Sequence, residues 1–242
     1  MILRSITRHV REQNWFAVGL DFLIVVVGVF IGIQVANWNA ERADRVEAGN
    51  VLERLEQEFQ MHLERTDRSL AMHEASLAAA ARLIHGIRDG RLEQDSLDQD
   101  IDVATGFATP PGPSTTFEEL VSSGRLRLLQ GTELRSALLG YNDYVSLVRS
   151  HYGVCTQPLG KAREELMRAR TLVVTGVPSG GIDQAWTTEA VDQSVLLEKP
   201  ELMAALQTLY GTQDNAHAVL LANRQRIRAI LDLVEAAQDE QR

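Results

Sequence analysis

His62 and His73 stand eleven residues apart in a helical run. That spacing puts them on one face but about 16 Å from each other, too far to share a metal ion. The other histidines, His9, His85, His151 and His217, add no metal-ligand spacing. Cys155 is the one cysteine, so neither an internal disulfide nor a Cys-based zinc cluster can form. It falls in an apolar helical stripe, where a thiol packs as a small hydrophobe rather than acting as a nucleophile. The glycines at 176, 180 and 181 lack the Lys-Ser/Thr of a phosphate loop, and neither Gly-x-Ser-x-Gly nor His-Glu-x-x-His occurs. The carboxylates fit the solvated faces of amphipathic helices. No enzyme, cofactor or metal site is expected on these grounds.

Polar residues at core positions have the better claim. Thr66, His73, Tyr141, Tyr152, Gln213 and Asn223 interrupt otherwise apolar helical stripes. One reading is that they bond across a bundle and fix its alignment. The other makes His73, Tyr141, Tyr152, Gln213 and Asn223 the polar groups of a small-molecule pocket between helices, as in a sensory bundle. Against the second, a sensor passes its signal to an output domain, and only the short segment 1–14 would lie across the membrane.

The elements carrying these residues begin with an apolar tract. Residues 22–33 are apolar without a break, and from Trp15 to Trp38 only Asp21, Gln34 and Asn37 are strongly polar. Twenty-odd helical residues reach roughly 30 Å, enough to cross a bilayer, with an indole at each interface. Being apolar on every side, the tract suits lipid better than a protein core. It also lacks a small-x-small exit site, so it reads as an uncleaved span over 15–38 rather than a signal peptide. Upstream, Leu3, Ile6 and Val10 form a stripe with Arg4, Arg8 and Arg11 elsewhere, a basic amphipathic segment over 1–14 suited to an anionic leaflet. This favours a cytoplasmic N-terminus with the body outside the cytoplasmic membrane, against the pull of Arg42, Arg45 and Arg54 just after the span.

At 100° per residue, Asp21, Gly28, Gly32 and Asn39 fall within about 20° of one line, with Gln34 and Asn37 roughly opposite. A Gly-x-x-x-Gly face admits a second helix closely, and a lipid-facing carboxylate is costly. Asp21, Gly28 and Gly32 are therefore the expected helix-packing residues, with Gln34, Asn37 and Asn39 second. The partner would be another copy of the chain or another membrane protein.

Beyond the span, residues 39–242 read as a helical bundle. The composition is 45% hydrophobic and only 5% aromatic, which favours helix over sheet. From residue 40 onward 31 acids face 21 bases, so the body is acidic and a poor binder of nucleic acid. Three-four spacing predicts long helices over about 40–89, 132–175 and 200–238, with a short one over about 115–123. Asp89-Gly90 and Ser123-Gly124 are stops, Ser114 a cap, and Pro200 a first helical residue. Pro158 should bend the second long helix. Residues 91–113 read as a polar stretch leading to a proline loop. The expected fold is all-α, a transmembrane helix continuing into an elongated antiparallel bundle.

The span and its tail, Val25 to Asn39 with Asp21 ahead, resemble a family of uncharacterised single-span bacterial membrane proteins, a domain of unknown function. The family shares an acidic residue entering an aliphatic span, then a Gln and an Asn-Trp-Asn signature, here Gln34, Asn37, Trp38 and Asn39. Phe117 to Leu126 resembles the family's short helix running into a Ser-Gly turn, followed by the helix start at Leu134-Arg135. The resemblance implies the architecture and no activity. With the resemblance to bacterial proteins, the span is expected in a bacterial inner membrane with the body in the periplasm, and the expected role is non-enzymatic assembly, as a homo-oligomer or accessory subunit, with membrane lipid as surroundings. The alternative is a ligand-binding bundle that signals by changing oligomeric state. A polar cavity at His73 and the two tyrosines would favour the alternative; a dry core with a long exposed apolar seam would favour assembly.

Overall fold

The computed structural model describes residues 15–129, 131–176, 186–198 and 200–241. The expectations for the basic segment 1–14 and for the glycines at 180 and 181 lie outside these residues, as do those for the side chains of Trp15 and Cys155. Among the described residues the fold is all-α apart from one two-stranded antiparallel pair. Its helices are α1 (Trp15–Arg88), α2 (Gln94–Ala104), α3 (Thr115–Ser122), α4 (Thr132–Met167), α5 (Gln193–Leu197) and α6 (Pro200–Asp239); the strands are β1 (Arg170–Val174) and β2 (Trp186–Val191). The chain divides into two compact units, Met1–Asn50 and Val51–Arg242.

In the first unit, α1 is exposed at every residue from 18 to 43. Among the described residues it is the one helix long and apolar enough to cross a membrane.

In the second unit, three long helical stretches share a core. Hydrogen bonds between α1 and α6 fix their relative direction. Gln238 bonds Glu56 at 2.9 Å, Asn223 bonds Thr66 at 3.3 Å, and Gln213 bonds His73. One series rises as the other falls, so the two helices run antiparallel. Helix α4 packs along α6. The stripes read from the sequence are the buried ones: Leu55 and Phe59 on α1, Leu138, Tyr141 and Leu166 on α4, Leu206, Leu209 and Ile227 on α6.

The segment between α1 and α4 departs from expectation. Residues 91–113 are not simply a loop, because α2 forms within them and buries Leu97, Ile101 and Ala104. From there the chain retraces α1. Asp100 meets Arg82, Val103 meets Ser76, Phe107 meets His73, Thr115 meets Glu58 and Glu119 meets Arg54. This return allows α4 to start again beside the same end of the bundle, where the Tyr141 ring packs on Phe59 at 5.0 Å. The turns were legible. At Gly90 (φ 65°), Arg91 N–H donates to Gly86 O and Gly90 N–H to Ile87 O, and the same pair of bonds recurs at Gly124 (φ 68°). Both are glycine-stopped helix ends in which an L side chain would be strained.

Helix α4 stops at Met167 rather than continuing to 175 as expected. Ala169 and Val173 keep the helical spacing, but Thr171-Leu172-Val173-Val174 is mostly β-branched and pairs antiparallel with Trp186–Val191. Arg170 anchors the strand pair. Its side chain is fully buried and reaches Asp98 (2.5 Å) and Asp102 (2.6 Å), which lie four apart on one face of α2. Those two carboxylates are nearly half exposed, so they rehydrate when the arginine is removed. Arg170→Met is therefore expected to cost about 2 kcal/mol rather than the larger penalty of a fully buried pair. It should also speed amide hydrogen exchange in β1 and β2; unchanged exchange there would rule out the anchor.

Candidate functional site

An irregular segment inside a helical bundle carries backbone carbonyls that need donors. From Thr105 to Ser114 the chain forms no helix or strand, and core side chains supply donors to it and to the last carbonyls of α2. Ser76 Oγ donates to Val103 O (2.8 Å), and Gln213 Nε2 to Ala104 O (3.2 Å) and Gly106 O (2.7 Å). Tyr152 OH donates to Ala108 O (3.0 Å) and Tyr141 OH to Gly112 O (2.9 Å). The polar interruptions at Tyr141, Tyr152 and Gln213 thus have a shared cause. They hold this segment against α1, α4 and α6. Burial and the nearby Glu58 charge push the Tyr141 hydroxyl's pKa up, which keeps it a neutral donor. Asn223 donates to Thr66 instead, and its Oδ1 has no partner among the described residues.

The segment ends at the N-terminus of α3, where Glu58 of α1 does the capping. Its Oε1 accepts from Thr115 N (2.6 Å) and Thr115 Oγ1 (2.8 Å), its Oε2 from Ser114 Oγ (2.9 Å) and Thr116 N (3.2 Å). Ser114 Oγ in turn accepts from Phe117 N at 3.2 Å, the cap expected from the sequence. Burial works against the charge on Glu58. The His62 ring, 3.8 Å away, and hydrogen bonds from Thr115 and Thr116 outweigh it and hold the carboxyl down at about 2.

Two prolines make residues 107–111 a poor space-filler, and a cavity of about 470 Å³ remains between this loop and α1, α4 and α6. That is within the range of small-molecule sites. His73 and Tyr152, both predicted pocket residues, line it; Tyr141, Gln213 and Asn223 do not. The sequence reading missed Phe107, Tyr144 and Leu147. Phe107 stands edge-on to His73 (4.9 Å, 88°) and to Tyr152 (5.5 Å, 62°), a run of T-shaped ring contacts along one wall. Tyr144 donates its hydroxyl to Val219 O (2.8 Å) and lies under the Arg226 guanidinium at 4.0 Å. Among the described residues no Asp, Glu, Lys or Arg lines the cavity.

His73 is 1% exposed, and its Nδ1 bonds Gln213 Oε1. Because the Gln213 amide nitrogen faces two carbonyls, its oxygen must face the histidine as acceptor. Nδ1 therefore carries the hydrogen. Burial lowers the His73 pKa, with the Gln213 bond opposing and His217 assisting, so the ring is held neutral with Nε2 as a bare acceptor.

Asp21, Gly28, Gly32, Gln34, Asn37 and Asn39 all lie exposed on the apolar stretch of α1. A Cβ placed at Gly28 or Gly32 meets nothing within 4 Å. No group of three or more His, Cys, Asp or Glu side chains is gathered as a metal ion would need among the described residues. Compared with known proteins, the chain matches no protein-family model, no curated protein and no solved structure.

Proposed function

We propose that this is a single-pass membrane protein that works by assembly rather than catalysis. Its α1 span would associate with a second copy or with another membrane protein, as in the single-span bacterial family that its Asp21…Gln34…Asn37-Trp38-Asn39 pattern resembles. The N-terminus would be cytoplasmic and the acidic helical body periplasmic. The observation that carries this reading is the open space over Gly28 and Gly32 on a stretch whose residues are all exposed. Small residues one turn apart let two backbones approach closely, and dispersion contacts then hold helices that lipid alone would not drive together.

The test is the native mass of the complex extracted gently from its own membranes. A whole multiple of 26.9 kDa after allowance for detergent indicates self-assembly, and added polypeptides indicate a mixed complex. The double variant Gly28→Leu, Gly32→Leu is expected to reduce either to the single chain. An unchanged mass would exclude the glycine face as the interface.

The cavity beside His73 and Tyr152 favours a second reading, a bundle that binds a small molecule and passes the event on through its state of association.

A further inference from the structure

We infer that the cavity between α1, α4, α6 and the Phe107–Pro111 loop binds a neutral aromatic molecule carrying a single hydrogen-bond donor, with the donor placed on Nε2 of His73. The inference rests on the second reading above and adds the chemistry of the ligand.

Three features select that class. Among the described residues the lining holds no Asp, Glu, Lys or Arg, so an ion entering it would lose its hydration with no opposite charge to replace it. The ligand is neutral. The wall made by His73, Phe107 and Tyr152 is a succession of edge-to-face rings, an arrangement that a further ring extends. The ligand is aromatic. Thr109, His151 and Asn215, which also line the cavity, are exposed to water and Thr212 donates to Thr208 O, so the ligand's polar requirement comes from the buried His73. The two bonds that Gln213 donates to Ala104 O and Gly106 O lock its amide, and its amide fixes the histidine tautomer. The one hydrogen bond His73 makes among the described residues uses Nδ1, which leaves Nε2 as the lone-pair acceptor of a side chain that lines the cavity. The hydroxyls of Tyr152 and Tyr144 already donate to Ala108 O and Val219 O, so neither can turn to satisfy it. An acceptor on the cavity wall is filled by a hydroxyl or N–H of the ligand and left unpaired by a ligand that has none.

The test compares 2-naphthol with 2-methylnaphthalene, which have nearly the same shape and differ in the donor. Binding to the full-length chain in lipid nanodiscs is measured by equilibrium dialysis, with partitioning into protein-free nanodiscs subtracted. Saturable binding of one 2-naphthol per chain, at least about tenfold tighter than 2-methylnaphthalene, is the expected result. The comparison is made on the unaltered protein and depends on no variant folding. Ala216→Trp and Val148→Trp each fill the cavity from a different helix and should abolish saturable binding of both compounds. His73→Phe should remove the preference for the hydroxyl while leaving 2-methylnaphthalene binding in place. Equal affinities for the two compounds would overturn the role of His73 and leave the cavity as a binding site. Absence of saturable binding to either compound, or binding that survives both tryptophan variants, would overturn the cavity itself and the second reading with it.

Discussion

Glu58→Gln is expected to destabilise the helical body by about 3 kcal/mol at neutral pH. For a unit of this size that lowers the midpoint of thermal unfolding by roughly 6–12 °C. The geometry explains why the near-isosteric change is not mild. Both carboxylate oxygens are in use, each accepting two bonds from the first residues of α3. An amide presents one oxygen and one NH₂, so two donors of the Ser114–Thr116 turn would face another donor. The same carboxyl sets an acid limit. Its folded-state pKa, about 2, lies below the ordinary value of 4.5, so the unfolded chain binds the proton more readily. Its contribution is complete above the usual carboxylate range and is lost as the pH falls through that range toward 2. His73 acts in a higher window. Its depressed pKa means that stability begins to fall once the pH drops below the ordinary histidine value of 6.5. Thermal melts across pH 2–8 should therefore show the Glu58→Gln variant converging on the parent at the acid end. Parallel curves for the two proteins would mean that folding leaves the Glu58 pKa unchanged.

What the sequence discloses divides by range. Ser114, Gly90, Gly124 and Pro200 mark their helix ends because capping, left-handed turns and proline geometry act within a few residues. The long stripes are legible for the same reason, since burial repeats with the turn of the helix. Helix α2 was not. Its short apolar face is set among Asp95, Asp98, Asp100 and Asp102, which read as solvent-facing loop. Three of those aspartates are explained only by partners far along the chain, Arg82 for Asp100 and Arg170 for Asp98 and Asp102. The end of α4 was hidden by coincidence, because Ala169 and Val173 keep the helical interval although Val173 sits in a strand. At the candidate site, His73 and Tyr152 stand out as polar breaks in apolar stripes. Phe107 and Tyr144 carry no such mark, since they join the cavity only through the path of the loop and a position between stripes. The polar breaks were foreseen as alignment or pocket. Thr66 and Asn223, and His73 and Gln213, do bond across the bundle, while Tyr141, Tyr152 and Gln213 also serve a third need, donors for the carbonyls of a segment that forms no helix.

That need predicts the consequence of removing its busiest member. Gln213→Leu keeps the volume and fills a fully buried position with an apolar side chain, so hydrophobicity alone would forecast a gain in stability. The expected result is a loss of about 3 kcal/mol, because three buried groups lose their partner at once: Ala104 O, Gly106 O and the Nδ1–H of His73. The loss should be concentrated in the segment that Gln213 holds. Amide hydrogen exchange is expected to rise in residues 104–112 and to change little at the far end of α6 near Val234. Gln213→Glu provides the control for charge and shape. It can still accept from His73 but turns a second oxygen toward two carbonyls, so it should lose as much as the leucine variant or more. A leucine variant that melts at or above the parent temperature would mean that the loop carbonyls find other donors. The polar residue at this core position would then serve alignment alone.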